Sequence, residues 1–171
     1  ALELHREAQV IDLHADTLEL VRLGYDLERE PSSMLIAGHL HGHIDLPRLR
    51  KGGVTAQLFG VVIPPWSSQK SAREKVRTQS ALLDEICAAS EGGLRRCSTA
   101  EEIRRATDEG SIAAMIGVEG SYGLTDDMVS IDVLVAAGAR YHGPAHIFDS
   151  RDVKTSWRHQ GGSITDRARD Y

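Results

Sequence analysis

The sequence predicts an α/β protein built on a parallel sheet, either a (β/α)8 barrel or a doubly wound sheet. Apolar stretches alternate along the 171 residues with segments of helical periodicity, as in other proteins of this class. Polar residues also gather where the predicted strands end, and in a parallel barrel the carboxyl ends of the strands carry the active site. These strand-end residues are His14, Asp16, Glu119 and His146.

The first half of the chain contains two predicted strands and one long helix. The apolar runs 9–14 (QVIDLH) and 54–63 (VTAQLFGVVI) are typical of buried strands, and Pro64-Pro65 ends the second run. A helix is predicted over residues 68–90, with Gly92-Gly93 as its stop signal. Four apolar residues with helical spacing support this prediction, namely Ala72, Val76, Leu83 and Ile86.

A short helix and a third strand are predicted next. Ser98 or Thr99 is the expected N-cap of the helix, because Glu101 or Glu102 follows three residues later. The run 112–118 is apolar on both faces, as expected of a parallel strand covered by helices, and it ends at Glu119.

The last third of the chain repeats this order. A helix is predicted from residue 128 and is stopped by Gly138, and an extended segment over 140–145 then ends at His146. Another helix begins near Thr165 or Ser163. A closed barrel of eight strands needs roughly 200 residues or more, and about four strands are predicted here. We therefore expect residues 1–171 to be a single domain that forms the N-terminal part of a longer fold.

Composition and charge point to small partners. Hydrophobic residues make up 41% of the chain, and 20 Lys+Arg stand against 25 Asp+Glu, without a block of five like charges. Neither a nucleic-acid surface nor a polybasic membrane anchor is expected from this balance, and no run of about 18 apolar residues predicts a transmembrane segment. Cys87 and Cys97 form no CxxC pair, so a cytoplasmic location is expected, with a removed signal peptide as the alternative.

The strand-end residues have the chemistry of metal ligands. Residues i and i+2 of a strand point the same way, so His14 and Asp16 can direct a nitrogen and an oxygen to one divalent ion such as zinc. Glu119 follows seven apolar residues and precedes Gly120. Its carboxylate is suited to bridge two cations, which lie about 3.5 to 4 Å apart in two-metal hydrolytic sites. A helix N-cap partner or a buried salt bridge is the alternative role for this acid.

Four segments, taken in order, resemble the membrane dipeptidase (renal dipeptidase) family of the amidohydrolase superfamily. They are VIDLHADTLEL, HIDLPRLRKGGVTAQLFGVVIP, STAEEIRRATDEGSIAAMIGVEGSYGL and VLVAAGARYHGPAH. The resemblance covers most of the chain. It implies a (β/α)8 TIM-like barrel of the metal-dependent hydrolase type, of which this chain covers roughly the first half. It also implies a site for two zinc ions that hydrolyses dipeptides through a metal-bridging hydroxide, and a homodimer.

The resemblance also implies roles for individual residues. His14 and Asp16 match the metal ligands of the first strand, and Glu119 matches the carboxylate that bridges the two ions. His146 matches the catalytic histidine that contacts substrate and stabilises the tetrahedral intermediate, although the preceding YHGPA differs from the family's usual apolar or Thr residues. Two further histidine ligands and an aspartate that handles the proton follow later in this family.

Other polar residues have weaker claims to a role in the site. His39, His41 and His43 have chelating H-x-H-x-H spacing but lie in a glycine-containing loop, and His142 and His159 are expected on the surface or in a substrate loop. Asp12 is expected either to accept a hydrogen bond that orients the His14 ring or to act as a capping acid. Asp45 is the predicted N-cap of a helix that begins at Leu46-Pro47. Trp66 and Trp157 are predicted to lie in loops.

Two rival functions share the same scaffold. A binding or regulatory relative would keep the barrel but lack a full set of metal ligands. Another amidohydrolase chemistry, such as deamination or ester hydrolysis, is disfavoured because those groups usually show H-x-H where this chain has His14-Ala15-Asp16.

Overall fold

The computed structural model of the chain describes residues 2–30, 35–36, 39–40, 42–120, 122–124, 128–157 and 161–169. Its helices and strands are, in chain order, α1 (Leu2–Glu7), β1 (Val10–Ala15), α2 (Thr17–Val21), β2 (Leu35–Ile36), β3 (His39–Leu40), α3 (Leu46–Lys51), β4 (Val54–Val62), α4 (Gln69–Ala89), β5 (Leu94–Arg96), α5 (Ala100–Asp108), β6 (Ile112–Glu119), α6 (Met128–Ala136), β7 (Ala139–Gly143), β8 (Val153–Lys154), β9 (Ser163–Ile164) and α7 (Asp166–Arg169).

The main sheet has the strand order β1-β4-β6-β5, and β7 also pairs with β6. Pairing is parallel between β1 and β4, where Ile11 lies opposite Ala56, and between β5 and β6, where Leu94 lies opposite Ile112. The predicted α/β class with a parallel sheet is therefore confirmed. Two short antiparallel pairs, β2 with β3 and β8 with β9, lie outside this sheet.

Contacts divide the chain into two compact units, 1–60 with 81–116 and 61–80 with 117–171. In the first unit, the largest buried side chains include Phe59, Leu83 and Ile116. In the second unit, they include Ile63, Val76 and Leu124. The single domain expected over residues 1–171 stays a prediction.

Strand β1 differs from its prediction as a buried strand. Its side chains alternate in burial, and Ile11 and Leu13 are 42% and 66% exposed. The reason is its place at the end of the strand order, where it has a pairing partner on one side only among the described residues. Strand β4, which lies inside the order, is buried along most of its length, as predicted.

Strand β5 was not predicted from the sequence. It contains only three residues, two of them arginines, which is too short for a periodic signal. The strand exists because it pairs with β6. Cys97, the residue after β5, continues this pairing, since its N–H donates to the Ala114 carbonyl at 2.9 Å.

The predicted helices lie close to their expected bounds. Helix α4 covers Gln69–Ala89, and α5 begins at a capping box in which Thr99 and Glu102 bond to each other's backbone N–H groups. Hydrogen bonds from Ser98 and Thr99 lower the pKa of Glu102 below its ordinary value. Helix α7 begins after Thr165, whose Oγ1 accepts from the Ala168 N–H at 3.4 Å.

Helix α6 and strand β7 continue the predicted order, with one difference. Helix α6 packs beside α4, since Arg73 Nε donates to Ser130 Oγ at 3.1 Å and Ser80 Oγ donates to the Ala137 carbonyl at 3.1 Å. Strand β7 ends at Gly143, two residues earlier than expected, because Pro144 has no N–H to donate to a neighbouring strand.

The tryptophans lie in loops, as the sequence predicts, and both cysteines are free thiols. Cys87 and Cys97 are both free thiols, and burial raises the pKa of Cys87 to about 12. Trp66 and Trp157 lie outside helices and strands and are largely exposed. Among the described residues, no helix combines the length and the apolar character needed to cross a membrane.

Asp45 caps α3 from a fully buried position, as its sequence context predicts. Its Oδ1 accepts from the Arg48 N–H at 2.8 Å, and its Oδ2 lies 2.5 Å from Arg48 Nε. Tyr25 completes the cluster, since its hydroxyl donates to the Ile44 carbonyl at 2.9 Å and accepts from Arg48 at 3.0 Å. Burial and the charge of Asp45 raise the pKa of Tyr25.

We expect Asp45→Ala to lower the free energy of unfolding by about 2–4 kcal/mol, because it removes a helix cap and leaves Arg48 without its buried carboxylate. Urea unfolding followed by circular dichroism measures the change. Asp26→Ala is the matched control, since the exposed Asp26 also accepts a nearby backbone N–H, from Glu28 at 2.9 Å. Equal losses in the two variants would contradict a special role for Asp45.

Candidate metal centre

His14 and Asp16 meet at the end of β1. The strand ends at Ala15, and Asp16 is the N-cap residue of α2, but its side chain caps no N–H there. The carboxylate instead turns towards His14, with Asp16 Oδ1 at 3.0 Å from His14 Nε2. The predicted convergence of the two side chains is therefore present, although Asp16 lies just beyond the strand.

Gly60 of β4 makes room for this pair. A Cβ atom at this position would lie 2.6 Å from Asp16 Oδ1 and 2.7 Å from His14 Cε1, closer than real Cβ atoms approach. Gly60 is not among the site residues predicted from the sequence. An isolated glycine inside an otherwise apolar strand is a signal of close approach by another group, and it could have identified Gly60.

Asp12 contacts the backbone of His14. Its Oδ1 accepts from the His14 backbone N–H at 3.0 Å. Of the two roles left open by the sequence, this hydrogen bond favours a capping acid over an acceptor that orients the imidazole. Asp12 therefore stabilises the chain path into the site.

Glu119 is the last residue of β6, as predicted, and the peptide group that follows it is hydrogen-bonded through both its carbonyl and its N–H. Its carbonyl accepts from the Ile63 N–H at 2.8 Å, and the next N–H, that of Gly120, donates to the Gly143 carbonyl at 2.9 Å. Gly120 has φ +89°, and a Cβ there would lie 2.9 Å from the Ile63 carbonyl oxygen. Glycine is therefore required directly after Glu119.

His146 lies three residues beyond β7, in a segment held by Tyr122. The His146 backbone N–H donates to Tyr122 Oη at 3.2 Å. Its ring approaches the strand-end acid, with His146 Nε2 at 3.7 Å from Glu119 Oε1. The side chains of His146 and Glu119 are 39% and 23% exposed, so both are open to a solute.

Three of the predicted residues form a group that could hold a metal ion. One ligand atom each from His14, Asp16 and Glu119 lies within 4.8 Å of the other two. A search of the described residues for three or more His, Cys, Asp or Glu side chains in this arrangement finds this group. One imidazole nitrogen and two carboxylates form a donor set that suits zinc and related divalent ions.

The alternative cluster of His39, His41 and His43 lies only partly within the described residues. His43 is exposed in a bend, His39 lies in β3, and His41 and the side chain of His39 lie outside the described residues, as does His159.

His142 differs from its expected surface position. It lies in β7, its Nε2 atom is buried without a hydrogen-bond partner among the described residues, and its ring bonds to the backbone of Gly120. Burial lowers the pKa of His142 below 6.5, against the opposing effect of the Asp152 charge. No sequence signal indicates this position, because strand β7 has no clear alternation of polar and apolar residues. His142 thus supports the backbone that follows Glu119.

Parallel pairing in an α/β sheet, with a His/Asp/Glu group at strand ends, is the arrangement of metal-dependent hydrolases with this architecture. Comparison with protein-family models identifies the family within this class of hydrolases. The family model described as membrane dipeptidase (peptidase family M19) matches residues 1–165, so the chain belongs to this family.

Curated relatives are longer than this chain. An uncharacterised protein of Acinetobacter calcoaceticus is 26% identical over 156 residues, which are 81% of this chain and 49% of that protein. Human Dipeptidase 3 is 27% identical over 141 residues, which are 82% of this chain and 28% of that protein. The chain therefore spans half or less of the length of these relatives.

Solved structures give the same result for the fold. The metallopeptidase dipeptidase AC matches with a TM-score of 0.64 at 25% identity, over 80% of this chain and 42% of that one. A Rhodobacter sphaeroides metallopeptidase, liganded with a phosphinate mimic of L-Ala-D-Ala, matches with a TM-score of 0.61 at 22% identity, over 80% and 45%. The probable dipeptidase PvdM of Pseudomonas aeruginosa matches with a TM-score of 0.68 at 19% identity, over 85% and 36%.

The half-buried imidazole of His142 makes stability depend on pH. Its pKa is lower in the folded chain, so as the pH falls below about 6.5 the unfolded chain binds more protons than the folded chain and the free energy of unfolding decreases. His142→Asn keeps an N–H near the Gly120 carbonyl but does not titrate. We expect this variant to show a shallower decrease in urea-unfolding measurements from about pH 7.5 to 5. The same slope in both proteins would contradict a neutral buried ring.

Proposed function

We propose that the full-length protein containing this chain is a zinc-dependent dipeptidase, which hydrolyses the peptide bond of dipeptides. The observation that carries this proposal is the group of ligand atoms from His14, Asp16 and Glu119, within 4.8 Å of one another, in a chain of the membrane dipeptidase family. A dipeptide mimic bound to the Rhodobacter sphaeroides metallopeptidase supports dipeptides as the substrate class.

The residues present fit a zinc site. They combine one imidazole with two carboxylates, and the missing side chain of Gly60 leaves the space that the His14 and Asp16 side chains occupy. Two zinc ions held in such a site would lower the pKa of a water molecule towards neutrality and polarise the scissile carbonyl.

Glu119 is proposed as the ligand shared by both ions. A carboxylate has two oxygens, each able to act as a ligand, and the peptide group that follows Glu119 is bonded through its carbonyl to Ile63 and through its N–H to Gly143. A fixed backbone limits the movement of the side chain, which a shared ligand requires. His14 and Asp16 are proposed to complete the part of the site that this chain supplies.

His146 is proposed as the residue that stabilises the transition state. Its exposed ring lies beside Glu119 and carries an N–H group that can donate to the oxyanion developing on the substrate carbonyl. Its role is to bind and orient the carbonyl oxygen. The remaining ligands and the acid that handles the proton are expected from other parts of the full-length protein. The homodimer and the cytoplasmic location stay predictions.

A panel of L,L- and L,D-dipeptides tests the reaction directly. We expect the full-length protein to hydrolyse members of this panel, to lose turnover on treatment with 1,10-phenanthroline, and to regain it when zinc is added. Turnover that resists the chelator would contradict the metal mechanism. Stoichiometric zinc binding without turnover of any dipeptide would favour the binding or regulatory relative, and turnover of esters alone would favour another amidohydrolase chemistry.

Gly60→Ala tests whether His14 and Asp16 bind metal. The new Cβ would displace both side chains, so we expect the zinc content of the full-length protein to fall from about two ions per chain to about one or fewer. Elemental analysis after dialysis measures this content. Gly143→Ala is the matched control, because a Cβ at that position meets nothing closer than 3.8 Å. A full zinc complement in a folded Gly60→Ala protein would contradict the assignment of these two ligands.

A further inference from the structure

Tyr122 links two segments that carry the proposed catalytic residues. It lies in the turn after β6, three residues beyond Glu119, and is 7% exposed. Its hydroxyl donates to the Phe148 carbonyl at 2.5 Å and accepts from the His146 backbone N–H at 3.2 Å. One phenol therefore bonds to the backbone on both sides of Ile147.

A tyrosine hydroxyl has a single proton to donate, and here that proton and an acceptor site are used on the same short segment. The carbonyl between these two contacts is held as well, since Thr155 Oγ1 donates to Ile147 at 3.0 Å. Three successive residues, 146 to 148, thus have a backbone group bonded to a side chain. The segment lies outside strands and helices, so these bonds take the place of regular secondary structure in fixing its path.

The Tyr122 ring is itself held against the strand end. A Cβ at Gly120 would lie 2.8 Å from two of its ring carbons, so the ring occupies the space that any larger residue would fill. Gly120 directly follows Glu119. The same side chain therefore contacts the backbone beside the proposed shared ligand and the backbone of the proposed oxyanion-binding histidine.

We infer that Tyr122 is a positioning residue, whose hydroxyl sets the place of the His146 imidazole relative to Glu119. The inference rests on the proposed function, since it gives His146 its task. The His146 side chain is 39% exposed, so the backbone contacts of this residue help to decide where its ring can reach. A displacement of about 1 Å in a catalytic group can lower the rate about 100-fold.

Tyr122→Phe in the full-length protein distinguishes the effect of the hydroxyl from the effect of the aromatic ring. The variant keeps the packing on Gly120 and removes both hydrogen bonds. We expect kcat for a dipeptide to fall about 10- to 100-fold, with KM and zinc content close to those of the wild type. Tyr25→Phe is the matched control, because it removes another buried hydroxyl, which donates to the Ile44 carbonyl at 2.9 Å. It should lower stability and leave kcat unchanged.

Two further measurements distinguish positioning from a general structural role. In a His146→Ala background, Tyr122→Phe should cause no further loss of kcat, because the hydroxyl acts through His146. The amide hydrogen of His146 should exchange faster in Tyr122→Phe, which hydrogen exchange followed by mass spectrometry detects in peptides covering residues 146–148.

A wild-type kcat in Tyr122→Phe, or a loss that persists in the His146→Ala background, would overturn the inference. If the wild-type protein hydrolyses no dipeptide, the proposed function fails. The hydrogen-exchange measurement still tests whether the Tyr122 hydroxyl holds the backbone of His146. Faster exchange in the variant then supports the anchoring of His146 by Tyr122, and unchanged exchange overturns it.

Discussion

The backbone hydrogen bonds around Glu119 are the constraint on which the candidate site depends. Seven buried residues precede this carboxylate in β6, and the strand's own pairing delivers it to the end of the sheet. The Ile63 N–H and the Gly143 carbonyl then hold the one peptide group that joins Glu119 to Gly120, the first through its carbonyl and the second through its N–H. Within the same compact unit, the imidazole of His146 approaches this carboxylate, with Nε2 at 3.7 Å from Oε1.

Glycine residues provide the space that these polar groups occupy. Gly60 leaves room for His14 and Asp16, Gly120 leaves room for the Tyr122 ring, and Gly117 leaves room for Tyr141, whose ring carbons lie as close as 2.1 Å to the position of an added Cβ. Only Gly120 of these three needs a positive φ as well. The sheet therefore gives up side-chain packing near its polar ends, and large residues from neighbouring segments fill the gaps.

Both compact units use a tyrosine hydroxyl to hold irregular backbone. Tyr25 bonds to the Ile44 carbonyl just before α3, and Tyr122 bonds to the backbone of His146 and Phe148 just after β7. A ring buried against its neighbours loses little further entropy when its hydroxyl bonds to a loop, because only two side-chain torsions have to be fixed. Such anchors position loops that have no pairing of their own.

Local patterns in the sequence were enough to determine the elements and the strand-end residues. The apolar runs of β4 and β6, the Thr99 and Glu102 capping box and the Asp45 cap depend on residues within a few positions of one another, so the sequence displays them directly. The position of Glu119 at a strand end was predictable for the same reason. The tertiary structure alone decided that β1 is partly exposed, that three residues at 94–96 form a strand, and that the Nε2 atom of His142 is buried. It also decided that Gly60 lies under His14, and that Tyr122 reaches His146. These features depend on contacts between residues that are far apart in the chain, and no spacing rule within one segment records such contacts.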